Sequence, residues 1–110
     1  MENMLLVYVN GRRRLEFDRS QPLPGRERRL MDEIDADLDA GFELGGTRVE
    51  SPDVRQKAFY AIEQMINFLE RERTDAAAIL CTYVGTRLPD LKIIHATDEG
   101  DEYSTRLQFD

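Results

Sequence analysis

The chain has 110 residues, and its 22 aspartates and glutamates outnumber its 15 lysines and arginines, which gives a formal net charge of −7. A chain of this length is expected to form one domain, residues 1–110, with a core that needs no disulfide bonds. Negative charge of this size repels phosphate groups, which argues against general binding to nucleic acids or anionic membranes. We therefore expect neither nucleic acid nor membrane among its partners.

Cysteine content and the first apolar run indicate the compartment. Cys81 is the single cysteine, so it cannot form a disulfide bond within the chain. The apolar run Met4–Val9 is too short for the core of a secretory signal or for a transmembrane helix. These features predict a cytoplasmic protein in a reducing environment.

The N-terminal segment predicts a β-hairpin, with strands Met4–Val9 and Arg12–Phe17 joined by Asn10 and Gly11. Asn-Gly favours the tight turn of such hairpins, because both central residues have positive φ. Simple alternation across this turn gives one predicted core face: Met4, Leu6, Tyr8, Arg13, Leu15 and Phe17.

The two strands of this hairpin differ in their predicted position. The first is apolar on both faces, which favours a place inside the sheet, whereas the second carries a run of arginines that is typical of an edge. Arg12 and Arg14 are expected to protect this edge from unwanted pairing. The alternative is that they contact a phosphate or a carboxylate, which makes them candidate ligand or partner residues.

The next segment predicts a peripheral helix and a connector. Arg26–Ala40 combines a narrow apolar stripe with a dense acidic face, and Gly41 after it suits a left-handed helix cap. The aspartates of this helix, Asp35 and Asp39 among them, are expected to be solvated. Phe42–Glu50 is expected to be an ordered connector, anchored by Phe42, Leu44 and Val49.

Residues 51–71 predict the clearest helix of the chain. Ser51 suits the N-cap, Pro52 the first helical position and Asp53 the positive end of the helix dipole. The apolar residues cover about half of the circumference at about 100° per residue. Such a wide arc predicts a central helix that packs against more than one element.

Residues 75–88 are ambiguous. Pro89 suits the end of a helix, and Tyr83 and Arg87 would then lie one turn apart on one face. Residues 78–84 are also rich in side chains that favour strands, so a buried strand is the alternative. We favour the helix, and only a helix would place Tyr83 and Arg87 together.

The C-terminal segment predicts a second hairpin, with strands Leu91–Thr97 and Tyr103–Phe109 around an acidic loop. Two hairpins that flank a helical middle indicate an α+β fold. We expect an antiparallel sheet of about four strands, with two or three helices packed on one face.

The sequence contains few groups that could act together in catalysis. Cys81 lies among apolar residues, and His95 lies beside isoleucines on a predicted strand, so both are expected to be structural. No phosphate-binding loop, dinucleotide fingerprint, nucleophile elbow or metal-ligand spacing occurs in the sequence. We expect no metal and no cofactor, and enzymatic activity is not favoured.

These observations favour a non-enzymatic module that binds another protein or associates with itself, as a homo-oligomer such as a dimer. The reason is that the chain has more apolar surface than a small domain is expected to bury, and surplus apolar surface often marks an interface. The alternative is a small enzyme or ligand-binding protein with a pocket near Tyr83, Arg87 and His95. Nucleic-acid binding through Arg12–Arg14 is a third and less favoured hypothesis.

Overall fold

A computed structural model describes residues 3–110 of the chain, which contain three helices and six strands. The strands are β1 (Met4–Val9), β2 (Arg12–Asp18), β3 (Phe42–Leu44), β4 (Thr47–Val49), β5 (Leu91–Asp98) and β6 (Tyr103–Phe109). The helices are α1 (Gly25–Leu38), α2 (Val54–Glu70) and α3 (Thr74–Arg87). The α+β class predicted from the sequence is confirmed.

The main sheet has four strands in the order β2-β1-β5-β6. Both terminal hairpins form, but they meet through a parallel pair, in which Leu6 lies beside Ile93 and Val9 beside Ala96. The sheet is therefore mixed, and the prediction of a purely antiparallel sheet is wrong. A parallel pair requires a long crossover between its strands, and the segment with all three helices provides that crossover.

The buried face of β1 is the opposite of the predicted one, whereas Leu15 and Phe17 of β2 pack against the core as predicted. Leu5 and Val7 are fully buried, and they lie opposite Phe17 and Leu15. The register shifts between Val7 and Tyr8, where Arg14 is an extra residue on β2. This bulge brings Leu15 and Phe17 to the face of Leu5 and Val7. Simple alternation could not anticipate the shift. The inner position of β1 and the edge position of β2 are confirmed.

Helix α2 begins two residues later than predicted, with Asp53 rather than Ser51 as its N-cap. The Gln56 amide donates to Asp53 Oδ1 at 2.8 Å, and the Asp53 amide donates to Gln56 Oε1 at 2.9 Å. Asp53 is the better cap because only it has a glutamine three residues later, which completes a reciprocal capping box.

Part of the predicted connector is a small hairpin. β3 and β4 pair antiparallel, and Gly45 and Gly46 between them have positive φ values of 59° and 81°. Phe42 is buried and stacks on Tyr60 of α2, with ring centroids 4.4 Å apart. The Gly-Gly pair is a hairpin signal that could have predicted this turn.

Helix α2 is central, as its wide apolar arc predicts. It contacts α3 along its length and the β3–β4 hairpin on another side. One cluster of buried residues joins the helices to the sheet, with Leu5, Met65, Tyr83, Leu91 and Ile94 among its largest members. Residues 74–87 are helical, so the strand alternative for residues 78–84 is wrong and the sheet keeps four strands. Within residues 3–110, no helix has the length and apolar character to span a bilayer.

The close approach of β2 to α3 depends on a residue without a side chain. A Cβ atom at Gly85 would lie closer than van der Waals contact to the ring of Phe17. Gly85 is buried and helical, so its role is to admit this ring rather than to allow an unusual backbone conformation.

We expect Gly85→Ala to lower the free energy of unfolding by about 1–3 kcal/mol, because the ring must move out of a packed position. This loss would exceed the gain of about 1 kcal/mol that alanine gives inside a helix. Urea denaturation measures the difference. Gly25→Ala is the matched control, because its Cβ would meet only ordinary contacts at 3.7 Å. Unchanged or increased stability of Gly85→Ala would contradict the packing argument.

Candidate functional site

Helix α3 brings Tyr83 and Arg87 to one face, which is turned toward α1. The Arg87 guanidinium stands over the Tyr83 ring, 5.4 Å from its centroid. Tyr83 is fully buried, whereas the Arg87 side chain reaches the surface. The structure therefore brings together these two of the predicted site residues.

Asp35 of α1 accepts hydrogen bonds from both side chains. The Tyr83 hydroxyl donates to Asp35 Oδ1 at 2.5 Å, and Arg87 Nε donates to Asp35 Oδ2 at 2.9 Å. Arg87 Nη2 lies 2.6 Å from the same Oδ2. The carboxylate thus holds α1 and α3 together through charge-assisted hydrogen bonds.

Lys57 extends this arrangement to α2. Its amino group lies 2.5 Å from Asp39 Oδ1 and 3.9 Å from Asp35 Oδ1. We call Asp35, Asp39, Lys57, Tyr83 and Arg87 the Asp35 network. The prediction of a solvated side chain is wrong for Asp35, which is 29% exposed and pairs with Arg87 of α3. Asp39 contacts Lys57 of α2 but is 64% exposed, so it stays largely solvated as predicted. Lys57 lies in the polar half of α2, so nothing in the sequence indicated that its side chain would be buried.

The pKa shifts of Asp35 and Tyr83 keep the carboxyl ionised and the hydroxyl neutral around neutral pH. Burial raises the pKa of Asp35, but hydrogen bonds from Tyr83 and Arg87 and nearby positive charges outweigh it, so the pKa lies below its ordinary 3.8. Burial first, and then the Asp35 carboxylate, raise the pKa of the Tyr83 hydroxyl. General acid–base catalysis needs a pKa near the working pH, so these groups suit a structural role.

Cys81 is not an activated nucleophile. Its side chain is buried in the core, and that burial raises the pKa of its thiol to about 12. The reactive form of cysteine is the thiolate, which is scarce at neutral pH in such surroundings. Among residues 3–110, no group of three or more histidine, cysteine, aspartate or glutamate side chains could hold a metal ion.

His95 lies apart from Tyr83 and Arg87. It stacks on Tyr8 with ring centroids 5.5 Å apart, and the two residues are neighbours in the parallel pair of β1 and β5. Strand alternation places both on the face of the sheet that the helices do not cover. The predicted pocket near Tyr83, Arg87 and His95 therefore does not form as one site.

Arg12 and Arg14 lie on the edge strand β2. Arg12 is paired with Val9 next to the Asn10-Gly11 turn, and Arg14 is the bulged residue. Charge and a bulge on an edge strand both oppose pairing with another sheet. Their position fits the predicted protective role, and a contact with phosphate or carboxylate stays a prediction.

The second face of the main sheet has an apolar centre. Five side chains of β1 and β5 form what we call the uncovered face: Met4, Leu6, Tyr8, Ile93 and His95. All five are half-buried, and none of the described helices packs on them. The face is bordered by Arg13 and Glu16 on β2 and by Arg106 on β6.

A cleft of about 460 Å³ opens beside Arg87, on the helical side of the sheet. Phe17 and Arg19 line it from the end of β2, Arg28 and Met31 from α1, and Gly85 from α3. The sequence analysis missed Arg19 and Arg28, because their convergence depends on how three separated segments pack.

Comparison of the chain with protein-family models, with curated proteins and with solved structures found no match. Three features of the structure bear on its function: the Asp35 network, the uncovered face and the cleft.

We expect Asp35→Asn to lower the free energy of unfolding by about 1.5–3 kcal/mol, because an amide replaces an ionised acceptor that holds a cation and a buried hydroxyl. Asp32→Asn is the matched control on the same helix. Asp32 contacts Arg87 at 3.4 Å, but its side chain is 80% exposed, so its loss should cost less than about 0.5 kcal/mol. Urea denaturation of both variants tests this. Equal losses in the free energy of unfolding would show that the Asp35 network stabilises the fold no more than an exposed ion pair does.

The stability difference between the wild type and Asp35→Asn should depend on pH. The pKa of Asp35 is lowered in the folded state, so its contribution is complete above its ordinary value of 3.8 and declines below it. Once the pH is below the folded-state pKa, the contribution is lost. Denaturation measured over a range of pH should therefore show a stability difference between the two proteins at neutral pH that shrinks as the pH falls. A constant gap across this range would contradict the assignment.

Proposed function

We propose that this chain is a non-enzymatic module that associates with a second copy of itself through the uncovered face. The observation that supports the proposal is the composition of β1, which is apolar on both sides of the sheet. Leu5, Val7 and Val9 are covered by helices, whereas Met4, Leu6 and Tyr8 point away from them. A strand with this pattern is typical of a sheet covered on both faces.

Charge at the borders of the uncovered face favours a second copy as the covering layer. A twofold axis that runs across the strands, between the row of Tyr8 and the row of Leu6, would lay β2 of one copy antiparallel over β2 of the other. Glu16, which lies beside Leu6, would then approach Arg13 of the second copy, and the symmetry would make this contact twice. The face carries both signs of charge, as a self-complementary contact requires.

The size of the face predicts a weak association. Four strands spaced about 4.8 Å apart present a surface about 20 Å across in each direction. Such a face buries about 400 Å² on each copy, below the roughly 800 Å² per partner that specific complexes commonly bury. We therefore expect a micromolar dimer that forms as concentration rises.

The pKa shifts support the non-enzymatic part of the proposal. The pKa values of Asp35, Tyr83 and Cys81 all move away from neutrality. None of these three groups is thereby prepared for proton transfer or nucleophilic attack at neutral pH. We also propose a cytoplasmic location, with Cys81 as a free buried thiol. Recovery of the protein mainly outside the cytoplasm of its host would overturn the location.

We expect Leu6→Glu to weaken dimer formation at least about tenfold, because a charge would enter the apolar centre of the contact at a cost of about 1.4 kcal/mol or more. Sedimentation velocity over a wide concentration range measures the dissociation constant. Ile79→Glu is the matched control, since Ile79 is an apolar residue on α3 that is 42% exposed. A wild-type chain that stays monomeric at all concentrations would overturn self-association, and equal effects of both substitutions would overturn the assignment of the face.

Exchanging the charges of two residues that face each other across the contact tests the proposed symmetry. Glu16→Arg alone should weaken the dimer, because it sets like charges against each other across the contact. The double variant Glu16→Arg with Arg13→Glu should restore most of the affinity. Double-mutant coupling between the two positions in the dissociation constant of the dimer is the quantity to measure. Purely additive effects would contradict the pairing of β2 with β2 of the second copy.

A further inference from the structure

The cleft beside Arg87 has a charge opposite to that of the chain as a whole. Three arginines line it, Arg19, Arg28 and Arg87, against one carboxylate, Asp32. The formal charge of the whole chain is −7. Field lines concentrate in a concave site with low-dielectric walls, so a local excess of cations there attracts anions despite the acidic surroundings.

Arg19 is fixed in place but is not neutralised. Its Nε donates to the Gly85 carbonyl at 2.8 Å, and its Nη2 donates to the carbonyls of Leu88 and Leu91 at 3.0 and 2.6 Å. These acceptors orient the guanidinium without cancelling its charge, and no carboxylate of residues 3–110 forms a salt bridge with it. Burial lowers the pKa of Arg19 and outweighs the opposing effect of the Asp90 carboxylate, as expected of a cation that has lost water without gaining a salt-bridge partner.

Arg28 has a similar arrangement on the other wall. Its Nη1 donates to the Leu23 carbonyl at 2.5 Å, which again is a neutral partner. Nη1 of Arg19 and Nη2 of Arg28 have no hydrogen-bond acceptor among the described residues. Two oriented guanidinium groups with uncommitted N–H donors match the geometry of a carboxylate or phosphate.

The remaining lining is partly polar, through Gln21, Asp32 and Thr86, and partly apolar. Phe17, Leu23 and Met31 contribute to the wall beside the arginines. A volume of about 460 Å³ lies within the range of about 300–1,000 Å³ that is usual for small-molecule sites. A ligand that fits both parts has an anionic head and a short apolar body.

We propose that this cleft binds a small amphipathic anion, whose carboxylate or phosphate head contacts Arg19 and Arg28 and whose apolar part packs on Phe17, Leu23 and Met31. The site is distinct from the uncovered face, so the proposal does not depend on self-association. Arg87 contributes charge at the mouth, but Asp35 and Asp32 already hold it, which leaves Arg19 and Arg28 as the main contacts.

Three probes with the same eight-carbon chain test the proposal on the wild-type protein: octanoate, octyl phosphate and octylammonium. Nuclear magnetic resonance titration of the labelled chain should show saturable shifts at the amides of Gly85 and Thr86 with at least one anion. Octylammonium should bind at least about tenfold more weakly, a difference of about 1.4 kcal/mol. Comparison of the two anions then distinguishes a carboxylate site from a phosphate site. Absence of saturable binding at millimolar concentration, or equal binding of octylammonium, would overturn the proposal.

A pair of neighbouring arginines provides the matched variants. Arg28→Gln should weaken binding of the better anion about tenfold, as expected for the loss of one charge-assisted hydrogen bond. Arg29→Gln removes the same charge from the same exposed stretch of α1 but lies outside the cleft, so it should change the affinity less than about twofold. Equal weakening by both variants would show general electrostatic attraction and would overturn the site. The head-group comparison needs no variant, so it decides the question even if a substitution harms folding.

Discussion

The parallel pairing of β1 with β5 is the constraint on which the rest of the structure depends. Two hairpins could join edge to edge in several ways, but a parallel junction forces the chain between them to cross from one end of the sheet to the other. That crossover includes all three helices. Because the helices lie together on one side, the opposite side of β1 and β5 is left without a helical layer. The uncovered face is thus a consequence of the topology, and its apolar residues are what make it a candidate contact.

The Asp35 network determines how the crossover is held. Helix α1 buries only Met31 completely, so apolar packing alone attaches it weakly. The Asp35 carboxylate compensates, because it ties α1 to Tyr83 and Arg87 of α3 while Asp39 reaches Lys57 of α2. The position of α1 in turn determines where Arg28 stands relative to Arg19. A structural ion-pair network therefore shapes one wall of the cleft, and its member Arg87 also adds positive charge there.

Elements that depend on neighbouring residues could be predicted from the sequence, whereas contacts between distant segments could not. Periodicity within α2, the Asn10-Gly11 turn and the clean alternation of β6 depend on neighbouring residues, and they predicted the elements correctly. The failures involved contacts between distant segments: the bulge at Arg14 and the parallel junction. A one-residue shift exchanges the two faces of a strand, so the bulge alone made the predicted face of β1 wrong while Leu15 and Phe17 of β2 stayed on the buried side. Tyr83 and Arg87 were paired correctly because they lie on one helix. His95 was misplaced because its face depends on the sheet.

The two proposed binding features lie on opposite sides of the main sheet, which affects how they combine. Leu5 and Phe17 are neighbours on the helical side, and Phe17 lines the cleft. Tyr8 and His95 lie on the other side. A dimer formed through the uncovered face would therefore keep both clefts open, one on each outer surface. Ligand and second copy would not compete for the same residues, so any linkage between them would have to pass through the sheet. The hairpin of β1 and β2 is the shortest route, because one of its faces contributes to the cleft and the other to the uncovered face.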